Sequence, residues 1–150
     1  MSNVLARFRG ISDMEFYANA ETLYKELSRF LMNDNYIPKK WRTTHAYPII
    51  ALMDTLFDTM EDANAIYPTS EDEVKVRKEL QRECVLCCEK IYGRLQRAIL
   101  VIWWDTLHRD EDDPGRQKLE THLTEIGNIL DQEIKLLKGW RKSTHLLTKN

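Results

Sequence analysis

The chain is poor in residues that interrupt regular structure. Five glycines and four prolines are spread over 150 residues, so few, long elements are expected. No stretch alternates apolar and polar residues for long enough to build a sheet. The longest apolar run, Ala98 to Trp104, falls well short of the roughly 20 residues a membrane-spanning helix needs. No apolar stretch follows Met1 to Arg9 in the manner of a secretion signal. No membrane contact is expected, and the expected location is cytoplasmic.

Cysteine is sparse and clustered. Cys84, Cys87 and Cys88 are the three present, and an odd count in one short segment is not a disulfide framework. A zinc site would need a second ligand pair, and no Cys or His pair follows at suitable spacing. The three lie on an apolar helical stripe, where a free thiol acts as a small hydrophobe. His45, His108, His122 and His145 complete the ligand inventory. No Glu-x-x-His pair supports a di-iron bundle, and Glu120-Thr121-His122 has the wrong spacing. Surface histidines and no metal are expected. There is no glycine-rich phosphate loop, nucleophile elbow or HExxH. A metal-using bundle enzyme therefore has no constellation behind it, and neither catalysis nor a cofactor is expected.

What the chain does have is helical periodicity. Four segments carry apolar residues at three- and four-residue steps. The first, about 12–33, presents Phe16, Ala20, Leu23, Leu27, Phe30 and Leu31, with Ser12 or Asp13 as a cap. The second, about 44–67, presents Ile49, Leu52, Met53, Leu56, Phe57, Met60 and Ala63. Thr44 is its expected cap, and Pro48 falls in its first turns. The third, about 71–108, is entered through Ser70-x-x-Glu73, a capping box. It presents Leu80, Cys84, Cys87, Ile91, Leu95, Ala98, Ile99 and Ile102. Gly93 within it marks a close helix contact or a slight bend. The fourth, about 117–143, presents Leu119, Leu123, Ile126, Ile129, Leu130, Ile134, Leu137 and Trp140. His145 to Asn150 reads as a frayed tail. Short connections between long helices predict a single all-α domain, an antiparallel up-down-up-down four-helix bundle.

Charge is segregated beneath a net value of −2. Thr44 to Glu73 holds seven acids and no Lys or Arg. Val74 to Arg109 holds eight bases against four acids, and Pro114 to Asn150 seven against four. Lys39, Lys40 and Arg42 lie in the first connection. Arg77, Lys78 and Arg82 lie early in the third helix, and Lys138, Arg141 and Lys142 late in the fourth. In an up-down bundle the last two groups are neighbours. Clustered Lys and Arg supply the counterion-release part of nucleic-acid affinity; the alternative is a solvated helix face. Acidic second helix against basic third and fourth also fits copies meeting head to tail in a ring. A protein-only adaptor is the second expectation, with Trp41, Trp103 and Trp104 as interface anchors.

Three stretches resemble one family. Ile37-Pro38-Lys39-Lys40-Trp41-Arg42-Thr43-Thr44 resembles the hydrophobic-Pro-basic-x-x-basic connector of the accessory variability determinant (Avd) proteins. These belong to diversity-generating retroelements and have relatives encoded in 23S rRNA intervening sequences. Arg77-Lys78-Glu79-Leu80-Gln81-Arg82-Glu83-Cys84 is similar to that family's third-helix entry. Leu136-Leu137-Lys138-Gly139-Trp140-Arg141-Lys142-Ser143 resembles its C-terminal signature. The likeness runs from about Asp13 to Ser143. It implies a non-catalytic pentameric accessory subunit that binds a reverse transcriptase and template RNA or cDNA during mutagenic reverse transcription. The net acidity and the acidic Asp110–Asp113 loop depart from that family's strongly basic pattern.

Overall fold

The computed structural model describes residues 11 and 13–147. Four helices, packed together, dominate it: α1 (Glu15–Leu31), α2 (Tyr47–Ala65), α3 (Glu71–Ile99) and α4 (Pro114–Ser143). No strand occurs among the described residues. Each helix turns its expected stripe to one core, where Phe16, Leu23, Leu27, Phe30, Met53, Leu56, Ile91, Ile126 and Leu137 are buried, while Leu52, Phe57, Leu80, Leu123, Ile129 and Ile134 are half-buried against it. A fully buried side chain of this size contributes about 1.5–3 kcal/mol.

The contacts between helices follow a consistent order. Along α1 and α4, Phe16 stacks on Trp140 at 4.0 Å. Asn19 Nδ2 donates to the Ile129 carbonyl at 3.1 Å, and Glu26 meets His122 at 3.2 Å. Tyr17 and Tyr24 of α1 pack edge-on against Phe57 of α2. Cys87 Sγ donates to the Leu52 carbonyl at 3.0 Å, joining α3 to α2. Arg141 Nε donates to the Lys78 carbonyl at 3.0 Å, joining α4 to α3.

Two of the four helix starts carry a side-chain cap and two do not. Ser70 Oγ accepts from the Glu73 N–H at 3.2 Å, as in a capping box, and Glu73 Oε1 accepts from the Thr69 N–H and hydroxyl one residue before the cap. Asp113 Oδ2 accepts from the Arg116 N–H at 2.9 Å, so α4 starts at Pro114, three residues before the expected Gln117. By contrast, Met14 precedes α1 without a side-chain cap. Asp13 lies in a turn, and Ser12 lies outside the described residues. Thr44 caps nothing, because the chain is already helical from Lys39–Trp41 through a π-helical turn, Arg42–Ala46.

The end of the third segment also departs from regular winding. From Leu100 to Leu107 it becomes a π-helix, in which backbone bonds span five residues. Thr106 Oγ1 donates to the Val101 carbonyl at 2.7 Å across this turn. Within it Trp103 is buried, with Nε1 donating to the Tyr36 carbonyl at 2.9 Å. His108 ends the winding in the left-handed region, φ 49°, a stop position at which glycine is the commoner choice. Beyond α4, Thr144 is buried and its Oγ1 donates to Gln81 Oε1 at 3.0 Å. Leu147 N–H donates to the Pro68 carbonyl at 2.8 Å. The start of the expected frayed tail is therefore tied down as far as Leu147.

Candidate nucleic-acid and partner interface

The nine cationic side chains singled out from the sequence form two separate groups. The Arg141–Lys78 bond brings Arg77, Lys78 and Arg82 of α3 together with Lys138, Arg141 and Lys142 of α4. Lys39, Lys40 and Arg42 belong elsewhere: the Trp103–Tyr36 bond ties their connection to the π-helical end of the third segment. From Lys78 to Ile99, the last α-helical residue before that end, is about 32 Å at 1.5 Å per residue.

Within each group the arginines and lysines do different work. Arg42 is tucked in: one guanidinium nitrogen donates to the Met32 carbonyl at 2.8 Å and the same nitrogen meets Asp34. It closes the end of α1, where carbonyls lack partners. Arg77 Nη1 donates to the Ile66 carbonyl at 2.8 Å just past the end of α2. Its guanidinium lies over the Trp140 ring at 5.5 Å, and burial lowers its pKa from the usual arginine value. Arg141 is engaged with Lys78 as described. These three arginines hold helix ends together. Arg82 pairs with Glu79 at 3.3 Å on the surface. Lys39, Lys40, Lys78, Lys138 and Lys142 form no ion pair among the described residues. Lys39, Lys40, Lys138 and Lys142 are exposed, and Lys78 is half-buried. Of the nine, Arg82, Lys138 and Lys142 are thus the exposed cations at the α3/α4 pole, with Lys78 half-buried beside them.

The aromatic anchors are also redistributed. Trp103 is in the core and unavailable to a partner. Trp104 is 36% exposed with Arg116 over its ring at 4.6 Å. Trp41 is half-buried between Lys40 and His45.

The thiols are core groups. Cys84, Cys87 and Cys88 are buried and unpaired. Burial pushes the Cys84 thiol up to about 12 and raises the other two, so none is a ready nucleophile. No group of three or more His, Cys, Asp or Glu side chains among the described residues is placed to hold a metal ion. His122 differs from the surface histidine expected. It is half-buried, edge-on to the Phe30 and Tyr36 rings, with Nε2 3.2 Å from Glu26 Oε2.

Two features escaped the reading of the residues. Glu133 is fully buried. Its Oε1 accepts from Asn19 Nδ2 at 3.0 Å, while Oε2 has no hydrogen-bond partner. Desolvation raises its pKa to about 7, against the opposing Asn19 bond. The signal was present, because Glu133 sits three residues after Leu130 and four before Leu137, at a core position. The second is an apolar groove of about 530 Å³ between α3 and α4, lined by Tyr92, Leu100, Trp104, Leu123 and Gly127 among others. Its signal was weaker: Leu100 lies in the apolar run but off the stripe.

No family model, curated protein or solved structure matches the chain.

Proposed function

We propose that the chain is a non-catalytic accessory subunit of a diversity-generating retroelement, an antiparallel up-down-up-down bundle that binds nucleic acid and a reverse transcriptase. The order of contacts from Phe16–Trp140 to Glu26–His122 supports the antiparallel arrangement. The reverse-transcriptase assignment rests on the resemblance of the connector, the third-helix entry and the C-terminal signature. The nucleic-acid part rests on one observation, the Arg141–Lys78 bond that unites two cationic clusters into one pole. Lys78, Arg82, Lys138 and Lys142 there carry the phosphate contacts. Arg77 and Arg141 hold the platform. Lys39 and Lys40, beside Trp41, form a separate contact for the reverse transcriptase. The acidic stretch of α2 and the basic α3 and α4 favour assembly of several copies, with the cytoplasm as the working compartment.

A salt titration of binding to a labelled single-stranded RNA tests the nucleic-acid reading. Four phosphate contacts predict a log–log slope of about −3 for a single strand. Absence of binding at low salt, with the reverse transcriptase and without it, would end it.

A further inference from the structure

The apolar groove between α3 and α4 is unused by the reading above. Buried Leu95 and Leu130 line it, and so do two aromatic rings, Tyr92 and Trp104, each 36% exposed. Trp104 is held in place. Arg116 lies over its ring at 4.6 Å and is itself fixed by Glu120 and by the Arg109 carbonyl, each at 2.9 Å. Arg116 does not line the groove, so it covers the far face of the ring and leaves the groove side open. At Gly127 an added Cβ would meet no atom within 4 Å. The packing of this chain alone therefore does not require glycine there, and the bare backbone widens the groove. Gly93, read as a close helix contact, instead has the Arg97 guanidinium 3.3 Å from where a Cβ would stand. Arg97 thus lies back along α3, beside the groove.

The polar part of the lining is small and of one sign. Arg97 is the one charged residue that lines the groove, with Gln96 beside it. Arg97 forms no ion pair among the described residues. A purely apolar occupant would bury that charge without a partner. A nucleobase fits better: its faces stack on aromatic rings, its edge accepts from Arg97 and Gln96, and the polyanion that carries it meets no acid in the lining. The groove also continues from the cationic pole along the same two helices. Arg82 to Tyr92 is about 15 Å, and Lys138 to Leu130 about 12 Å, at 1.5 Å per residue. That is about four steps of a stacked strand at 3.4 Å per phosphate.

We infer that the groove takes an unpaired base of the single strand whose phosphates bind the pole, by stacking on Trp104 and Tyr92. The inference rests on the nucleic-acid part of the proposed function and names what else of the strand is bound. The contact is with a base and not a phosphate. It therefore adds affinity and leaves the salt slope nearly unchanged, and it favours an open strand over a duplex, whose bases are already stacked and paired.

The test compares a labelled single-stranded RNA with an abasic strand of the same length, which keeps every phosphate and lacks the bases. Two variants of the full chain are used. Trp104→Ala removes the stacking ring. Gly127→Leu fills the groove at a site where a Cβ meets nothing, and its melting temperature should equal or exceed that of the wild type, because glycine is a poor helix former. Each variant should bind the RNA about tenfold more weakly, the usual worth of one stacked base, with a slope still near the wild-type value. Wild type and variants should bind the abasic strand alike. Absence of RNA binding by the wild type at low salt, with the reverse transcriptase and without it, ends the nucleic-acid reading and this inference together. Wild-type binding with a steep slope, matched in affinity by both variants, overturns the groove alone. So does an equal loss on the abasic strand, which would mean that no base is read. Variants that alter sedimentation of the chain or binding of the reverse transcriptase, with RNA affinity unchanged, would give the groove to a protein and overturn the inference.

Discussion

Glu133 occupies a position that hydrophobic spacing assigns to the core, and the structure keeps it there with a single donor, Asn19. Desolvation makes the ionised form costly, so the folded chain holds the proton more tightly than the unfolded one. Its pKa rises from 4.5 to about 7. The sign follows: the contribution to stability is full below pH 4.5, falls as pH rises, and levels off above 7. The change over that window is about 3 kcal/mol. Asp113 and Glu73 act in the opposite sense, since hydrogen bonds lower their pKa values, and their contributions fade only on acidification. Glu133→Gln keeps an acceptor for Asn19 and removes the titration. Urea unfolding should show the wild type losing stability between pH 5 and pH 8, with the variant nearly flat. An equal slope in the variant would assign the pH dependence to other groups. The cysteines were legible at this scale because three adjacent thiols on an apolar stripe have a simple packing role. Glu133 was not, because polarity argued for the surface while position argued for the core, and the bond from Asn19 comes from a distant helix.

At the scale of elements, the four stripes predicted four helices, and the Ser70–Glu73 box gave one start to the residue. The two π-helical stretches were not legible. Their winding answers tertiary demands: Trp103 must reach the Tyr36 carbonyl from within a long apolar run, and a 3.6-residue period cannot announce that. The arginines show the same limit. Arg42, Arg77 and Arg141 look like surface cations in sequence, yet each donates to a carbonyl of another segment. Those carbonyls, at Met32, Ile66 and Lys78, are invisible to a reading of charge. Arg77→Ala removes a bond at the end of α2 and the stacking over Trp140, so it should cost about 2 kcal/mol in chemical unfolding. Arg82→Ala touches only a surface pair and should stay within about 0.5 kcal/mol. Equal costs would mean that the Ile66 and Trp140 contacts contribute little.

For the whole molecule, a net charge of −2 conceals cationic groups set more than about 30 Å apart, a distance fixed by the rise of one helix. Their separation makes the proposed binding pole testable without disturbing the fold. Arg82, Lys138 and Lys142 are exposed and make no contact between helices among their hydrogen bonds. Reversing all three to glutamate should leave the melting profile close to wild type and reduce the salt dependence of RNA binding to near zero. Each lost phosphate contact removes about 0.7 from the slope, and the new acids repel the strand. Reversing Lys39 and Lys40 changes the net charge by a comparable amount at the other site. If only local contacts matter, that variant should keep a slope within about 0.7 of wild type. If overall charge governs, both variants weaken RNA binding in proportion to the charge removed, and the pole has no special standing. A third pattern, in which the connector variant alone loses binding, would move the phosphate site to Lys39 and Lys40. The comparison turns on position, because an acidic chain can bind a polyanion only where its cations are locally concentrated and its acids stand clear.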